Sequence, residues 1–335
     1  MTTIEELGGI EIPDDDALAP QVTDVIVCAS SYDDVPVDEI RAHPPVGMEP
    51  RSLFEAAVPE VDLGDGIKLA SYAHGEEIFQ ACGGGQNFKP ARQFGQLYSF
   101  VRERGYTDVD DTLFGYDEDG RLHQALALSR LIRDNGFSLQ YAARVIEQPG
   151  RERMIRPAGA TDGSAAYRVL PGREWLDGPE AEALAGLLAK YHDVTLPPRV
   201  REALWRAEYA TRMARIDMMT FAIVSGLEAL VKVGFSRSTS QFKRRVPALA
   251  KAVEVEGIDA ALCGRMYDAR SGWAHGSMVL FDLGDSPTEE DKRRVLEEVA
   301  AVRDLLRAAV RKAIEDGDFR AVFLEDSAIR ARFSR

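Results

Sequence analysis

The chain has 335 residues, of which 45% are hydrophobic and 29% charged, and its formal net charge is −14 at pH 7. This composition is typical of a soluble globular protein with room for two domains, and the negative charge opposes long-range attraction to phosphate backbones. No apolar run approaches the roughly eighteen residues that cross a bilayer, and the acidic N-terminal segment is unlike a signal peptide. We therefore expect a cytoplasmic protein with no membrane partner, in which any nucleic-acid site is a local positive patch or cleft.

The sequence predicts neither a cofactor nor a bound metal. The three cysteines, Cys28, Cys82 and Cys263, are too scattered for a disulfide framework or a zinc ligand set. The glycine-rich stretch 81–87 lacks the Lys-Ser/Thr pair of a phosphate-binding loop, and the acidic clusters lack calcium-loop spacing.

The first 195 residues mix strand and helix patterns. Segments rich in β-branched residues predict strands at 24–30, 141–146 and 166–170. Apolar residues at helical spacing predict helices at 90–103, 122–133 and 179–191. The helix at 90–103 is predicted from Pro90 in the first turn, from Gly105 beyond the end, and from apolar residues at Phe94, Leu97, Tyr98 and Val101. Residues 1–195 are thus predicted to be a mixed α/β domain of unknown specificity.

From Pro197 onward the pattern is entirely helical. Pro197 and Pro198 mark a domain boundary, because the residue before a proline is pushed out of the helical region. A long helix or a pair of helices is predicted over 200–233. One side of it carries an apolar stripe, and the other carries the small residues Ala222, Ser225, Gly226 and Ala229. We expect this element to be buried on both sides, against other helices or against another subunit.

Further helices complete a predicted bundle over 196–319. Ser240 is a candidate N-cap for the next helix, and Pro247 predicts a kink or a later start. A third apolar stripe runs over 258–273. The last helix is predicted to begin with Ser286 as N-cap and Pro287 in its first turn. Such helices form a bundle, and residues 320–335 are predicted to be an appendage.

The third stripe leads into YDARSGWAHGSMVL, residues 267–280. Arg270 and His275 are five apart, so on an unbroken helix they would point about 140° away from each other. Gly272 or Gly276 could end the helix in a left-handed conformation and return His275 towards Arg270. A fixed cation beside a group that titrates near neutrality suits a phosphodiester, with His275 as general acid/base and Arg270 as electrostatic stabiliser. The alternative is that Arg270 satisfies helix-end carbonyls and His275 caps or packs against the bundle.

Three features, in order, make residues 201–315 resemble the HEPN superfamily of helical bundles, in particular its ApeA-like branch. The phrase at 221–230 is similar to the core helix of the family, with Glu228 as the acidic residue. Residues 239–249 are similar to the following helix, with an arginine at Arg245. Residues 267–277 resemble the signature of a tyrosine, then Arg-Ser, then His-Gly-Ser, which contains the R-x4-H motif.

The resemblance implies that the C-terminal half is an all-α HEPN-type bundle; with the mixed α/β domain predicted from the pattern of residues 1–195, the expected fold class is α+β. It implies a metal-independent endoribonuclease whose homodimer brings both motifs to one cleft. Carried over by residue, Arg270 and His275 would be catalytic, and Ser271, Glu228 and Tyr267 would support them. By the same analogy the substrate would be RNA, either tRNA or mRNA, and the N-terminal domain would sense a trigger or select the substrate. A role in bacterial anti-phage defence or as a toxin follows from the family alone.

Three interpretations stay open. The basic residues Arg237, Lys243, Arg244 and Arg245 are candidate RNA-binding residues, but a solvated helix face explains them equally well. The whole bundle could also be a non-catalytic dimerisation or partner-binding module. Likewise, the small-residue face fits either a closely packed dimer or packing within one chain.

Overall fold

The structure, a computed structural model, describes residues 20–31, 60–70, 94–105, 120–133, 138–159, 178–213, 216–234, 238–274 and 288–334, with the isolated positions 77, 81 and 176. The chain divides into two compact units. Among the described residues, the first unit extends to Ser129 and includes 138–159, 176 and 178–188. The second unit includes 130–133 and the residues from Ala189 onward. The architecture is α+β, with a sheet in the first unit and helices predominating in the C-terminal half.

The described strands of the first unit form one antiparallel sheet in the order β2-β3-β4-β1-β5-β6. The strands are β1 Gln21–Ser31, β2 Val61–Gly64, β3 Ile67–Ala70, β4 Phe94–Gly105, β5 Ser138–Glu147 and β6 Met154–Gly159. This confirms the strands predicted at 24–30 and 141–146. The segment 166–170 lies outside the described residues.

β1 is a central strand whose side chains from Val22 to Ile26 are buried on both faces. Val22, Val25 and Ile26 are buried, as are Thr23 and Asp24 between them. Asp24 faces its register partner Arg144 on β5, and Arg144 Nε donates to Asp24 Oδ1 at 2.7 Å. The ion pair offsets the cost of burying either charge.

The helix predicted at 90–103 was wrong, because β4 occupies Phe94–Gly105. Phe94, Leu97, Tyr98 and Val101 match helical spacing, but β4 is hydrogen-bonded to β3 on one side and to β1 on the other. Such long-range pairing overrides local propensity. The other two predicted helices are confirmed as α1 Arg121–Ile132 and α2 Gly178–Asp193.

The described part of the second unit is helical. Its helices are α3 Pro198–Thr211, α4 Ile216–Val231, α5 Ser238–Ala252, α6 Ala260–Ala274, α7 Glu289–Glu315, α8 Gly317–Ala321 and α9 Asp326–Phe333, with a 3-10 turn at Val322–Leu324. The predicted element over 200–233 is a pair of helices, α3 and α4. Pro197 stands at the N-cap of α3 with Pro198 in its first turn. Across the described residues, no helix is long and apolar enough to cross a membrane.

Three predicted helix boundaries need correction. α5 starts at Ser238, before Ser240, and continues through Pro247. α6 passes through Gly272 and ends at Ala274, so Gly272 does not terminate it. The first turn of α7 is capped by Thr288, which forms a capping box with Asp291. The predicted cap residues Ser286 and Pro287 lie outside the described residues.

α4 is the central helix of the second unit and packs against α3, α5, α6 and α7. A Cβ added at Gly226 would lie 2.9 Å from Leu306 Cδ2 on α7 and 3.1 Å from Arg206 Cβ on α3. Glycine at this position therefore permits close packing within one chain, which is one of the two explanations left open for the small-residue face.

The C-terminal residues are part of the helical core. Phe319, Phe323 and Phe333 are buried, and their rings contact one another with centroids 5.2–6.5 Å apart. Ile329 of α9 is buried as well. The segment predicted to be an appendage from residue 320 is instead folded onto the bundle, because its aromatic side chains bury apolar surface there.

Candidate functional site

α4 and α6 bring together three residues singled out in the sequence, Glu228, Tyr267 and Arg270. The phenol of Tyr267 donates to Glu228 Oε1 at 3.2 Å. Arg270 Nη2 lies 3.0 Å from the other carboxylate oxygen, Glu228 Oε2. Tyr267 and Arg270 are three residues apart, so α6 presents both to the same side.

Glu228 is the centre of this cluster. Its side chain is 8% exposed, and Nζ of Lys232, the residue just after the end of α4, lies 3.8 Å from Oε1. Contacts from a phenol, a guanidinium and an ammonium offset the cost of burying the carboxylate. Two cations against one carboxylate leave the described cluster with a net positive charge.

Arg270 lies at the exposed edge of the cluster. Its side chain is 25% exposed, and its guanidinium carbon is 5.4 Å from the centre of the Phe221 ring and 5.9 Å from that of Tyr267. Nε is buried and has no hydrogen-bond partner among the described residues. The aromatic faces and the carboxylate fix the guanidinium plane, while part of it remains open to an anion.

Arg270 does not cap a helix end in the described structure. A full turn of α6 follows it before Ala274, and its ion pair is with a carboxylate on another helix. The alternative interpretation, that Arg270 satisfies helix-end carbonyls, therefore does not account for its contact with Glu228.

Tyr267 is buried and serves as a donor. Its ring packs against Phe242 of α5 with centroids 5.3 Å apart. Burial, together with the charge of Glu228 and the hydrogen bond to it, raises the pKa of Tyr267 above its ordinary value. The phenol therefore stays protonated at neutral pH and holds the carboxylate in place.

The structure describes less of the other motif residues, His275, Gly276 and Ser271. His275, the residue after the end of α6, lies outside the described residues, as does Gly276. Ser271 is partly buried near the end of α6 and has no hydrogen bond to this cluster in the described part of the chain.

The candidate RNA-binding residues divide into two groups. Lys243 and Arg244 are exposed on α5, and the Lys243 side chain crosses α6 at Gly264, where an added Cβ would lie 2.6 Å from Cε. Arg245 is 4% exposed. Arg245 is therefore not available to bind RNA as predicted, because its side chain is enclosed and hydrogen-bonded within the bundle. Arg237 lies outside the described residues.

Sequence reasoning missed two contributors to this region. Lys232 follows Glu228 by four residues, and that helical spacing was a usable signal for their contact. Arg199 donates to the backbone carbonyls of Ala229 and Lys232. No sequence pattern marks such a contact, because every residue carries a carbonyl.

Comparison with protein-family models, with curated proteins and with solved structures gave no match. In the described residues, no group of three or more histidine, cysteine and acidic side chains could hold a metal ion.

Proposed function

We propose that the protein is a metal-independent endoribonuclease of HEPN type that acts as a homodimer. The observation that carries the proposal is the partly exposed guanidinium of Arg270, held by the buried Glu228 carboxylate, in a helix whose described residues run to Ala274, next to His275 in the sequence. A cation fixed in this way suits the charge that builds on a phosphorane during RNA cleavage.

In the proposed reaction, the 2′ oxygen of a ribose attacks the adjacent phosphorus and the bond to the 5′ oxygen breaks. An imidazole of His275 takes the 2′-hydroxyl proton, and an imidazolium gives a proton to the leaving 5′ oxygen. In a homodimer the two copies of His275 divide these transfers. The products are a 2′,3′-cyclic phosphate and a 5′-hydroxyl.

Arg270 stabilises the two non-bridging phosphate oxygens in this scheme. Glu228 fixes the guanidinium, and Tyr267 fixes Glu228 through its 3.2 Å hydrogen bond. The net positive charge of the cluster supports binding of a phosphate despite the formal net charge of −14 on the whole chain. Ser271 is a further supporting residue in this scheme, and we assign Lys243 and Arg244, which are exposed on α5, to contacts with the RNA.

The biological setting is proposed from the family resemblance. We infer a cytoplasmic enzyme that cleaves tRNA or mRNA in anti-phage defence or as a toxin, with residues 1–195 sensing a trigger or selecting the substrate.

The proposal is tested by incubating the purified protein with total RNA in the presence of EDTA. Wild type is compared with Arg270→Ala and His275→Ala. Arg265→Ala is the matched control, because Arg265 is also on α6 and also pairs with a glutamate, Glu298, at 2.7 Å. We expect cleavage by wild type and by the Arg265 variant, and none by the other two. Equal cleavage by all four, or none by folded wild type, would favour the non-catalytic partner-binding module.

A further inference from the structure

The C-terminal end of α4 is bound by two arginines from other helices. Arg199 of α3 donates through Nη1 to the carbonyls of Ala229 and Lys232, at 3.1 and 2.6 Å. Arg245 of α5 donates through Nη1 to the carbonyl of Val231 at 2.8 Å. The last carbonyls of a helix have no partner within the helix and carry its negative dipole end, so two cations stabilise this turn strongly.

Both arginines are in turn held by the C-terminal segment. Arg199 Nη2 donates to the carboxylate of Asp326, the first residue of α9. Arg245 Nε donates to Ser334 Oγ, at the C-cap of the same helix, at 2.9 Å. The two ends of α9 thus brace the two arginines that cap α4.

Arg245 is an unusual buried cation. Its bonds to described residues all go to neutral acceptors, namely Val231 O, Gln241 Oε1 and Ser334 Oγ. Burial, with Arg244 and Arg330 nearby, lowers its pKa. The neighbouring Asp326 carboxylate opposes this lowering, and the negative end of the α4 dipole adds compensation where Arg245 has no direct bond to a carboxylate. Such a costly arrangement points to a requirement for a fixed α4 terminus.

The braced turn is the one that carries Glu228. The backbone carbonyl of Glu228 accepts from Lys232 N at 2.8 Å, and Ala229, which Arg199 contacts, is the next residue. Fraying of this turn would break the Lys232 N to Glu228 O bond, free the backbone at Glu228 from its helical geometry, and let its carboxylate move away from Arg270.

We propose that Arg199 and Arg245, braced by Asp326 and Ser334, are positioning residues that hold the last turn of α4 so that Glu228 orients Arg270. The expected effect of these residues on cleavage rests on the proposed ribonuclease function, whereas their expected effect on the rotation of the Arg270 guanidinium does not.

The first test is the nitrogen NMR spectrum of the Arg270 guanidinium. Its signals are identified as those that are missing from the spectrum of Arg270→Lys. A guanidinium held by a carboxylate rotates slowly, so its two terminal nitrogens give separate signals. We expect separate signals in wild type and one averaged signal in Asp326→Asn, Ser334→Ala and Arg245→Met. Asp326→Asn is the mildest change, because the Arg199–Asp326 pair is partly exposed. If Arg245→Met does not fold, the spectrum of Asp326→Asn decides whether the brace holds Arg270.

The matched control is Arg320→Met. Arg320 donates to the carbonyls of Ala313 and Ile314 near the end of α7, so its loss uncaps a different helix. The control should lower stability and leave the two Arg270 signals separate. Unchanged signals in the folded brace variants, or equal averaging in the control, would overturn the proposal.

The second readout is cleavage. The brace variants should lose about tenfold in kcat with KM within about twofold of wild type, since positioning acts in the transition state. If wild type does not cleave RNA, the proposed function fails, and the NMR comparison still decides the brace. If the Arg270 signals do not change, the brace fails whatever the cleavage rates are.

Discussion

Replacing Glu228 by glutamine removes the negative charge from the cluster between α4 and α6 and keeps the size of the side chain. The carboxylate has an Arg270 contact at 3.0 Å, a Tyr267 hydrogen bond at 3.2 Å and a Lys232 contact at 3.8 Å. The amide can still accept from Tyr267, but it no longer compensates the charge of Arg270.

The cost follows from the burial of the partners. Removing one member of a fully buried ion pair costs about 3–5 kcal/mol. Arg270 is 25% exposed and Lys232 is 36% exposed, so water screens part of the loss. We expect Glu228→Gln to lower the free energy of unfolding by about 2 kcal/mol.

The assay is urea unfolding at pH 7, followed by circular dichroism at a helix wavelength. The control is Glu298→Gln, because Glu298 pairs with Arg265, whose side chain is 53% exposed, and that change should cost less than about 1 kcal/mol. Equal losses in the two variants, or a gain in Glu228→Gln, would refute the assignment of Glu228 as the centre of a buried charge cluster.

Four further predictions concern single residues. The pKa of Tyr267 is raised in the folded state, so its contribution to stability is complete below about pH 10, the ordinary tyrosine pKa, and is lost as pH rises through the pKa of the folded state. Urea midpoints measured between pH 8 and 11 should therefore fall less steeply in Tyr267→Phe than in wild type. Gly226→Ala should destabilise the chain by about 1 kcal/mol, since its Cβ meets Leu306 Cδ2 at 2.9 Å. Gly186→Ala, on the exposed side of α2 with no atom within 4 Å, should stabilise it by about 0.5–1 kcal/mol, and thermal melts of both variants check the signs. Burial raises the pKa of Cys263 to about 12, so iodoacetamide at pH 8 should label it only after urea unfolding, as peptide mass spectrometry would show.

The helices of the second unit could be predicted from the sequence because their periodicity is local. The stripes behind α4, α5 and α7 repeat at helical spacing over several turns, and burial follows those stripes. The sheet could not be predicted in the same way. β4 pairs with β1 across more than sixty residues of sequence, and its own apolar spacing matched a helix.

The site was predictable only in part. Spacing alone predicts that Tyr267 and Arg270 lie on one side of α6. Glu228 was predicted as a supporting residue only from the family resemblance. The burial of Arg245 was hidden, because its sequence neighbours Lys243 and Arg244 are exposed and the three look alike in a basic run. Whether a cation is solvated or caps another helix depends on tertiary packing.

The most direct test of the account is the chemistry of the RNA ends, measured by mass spectrometry after incubation in EDTA with a short RNA and with its fully 2′-deoxy counterpart. Cleavage of the RNA by wild type to a 2′,3′-cyclic phosphate and a 5′-hydroxyl, lost in Arg270→Ala and absent on the deoxy strand, is the predicted result. Cleavage of the deoxy strand, or undiminished cyclic phosphate formation by Arg270→Ala, would contradict the role of Arg270.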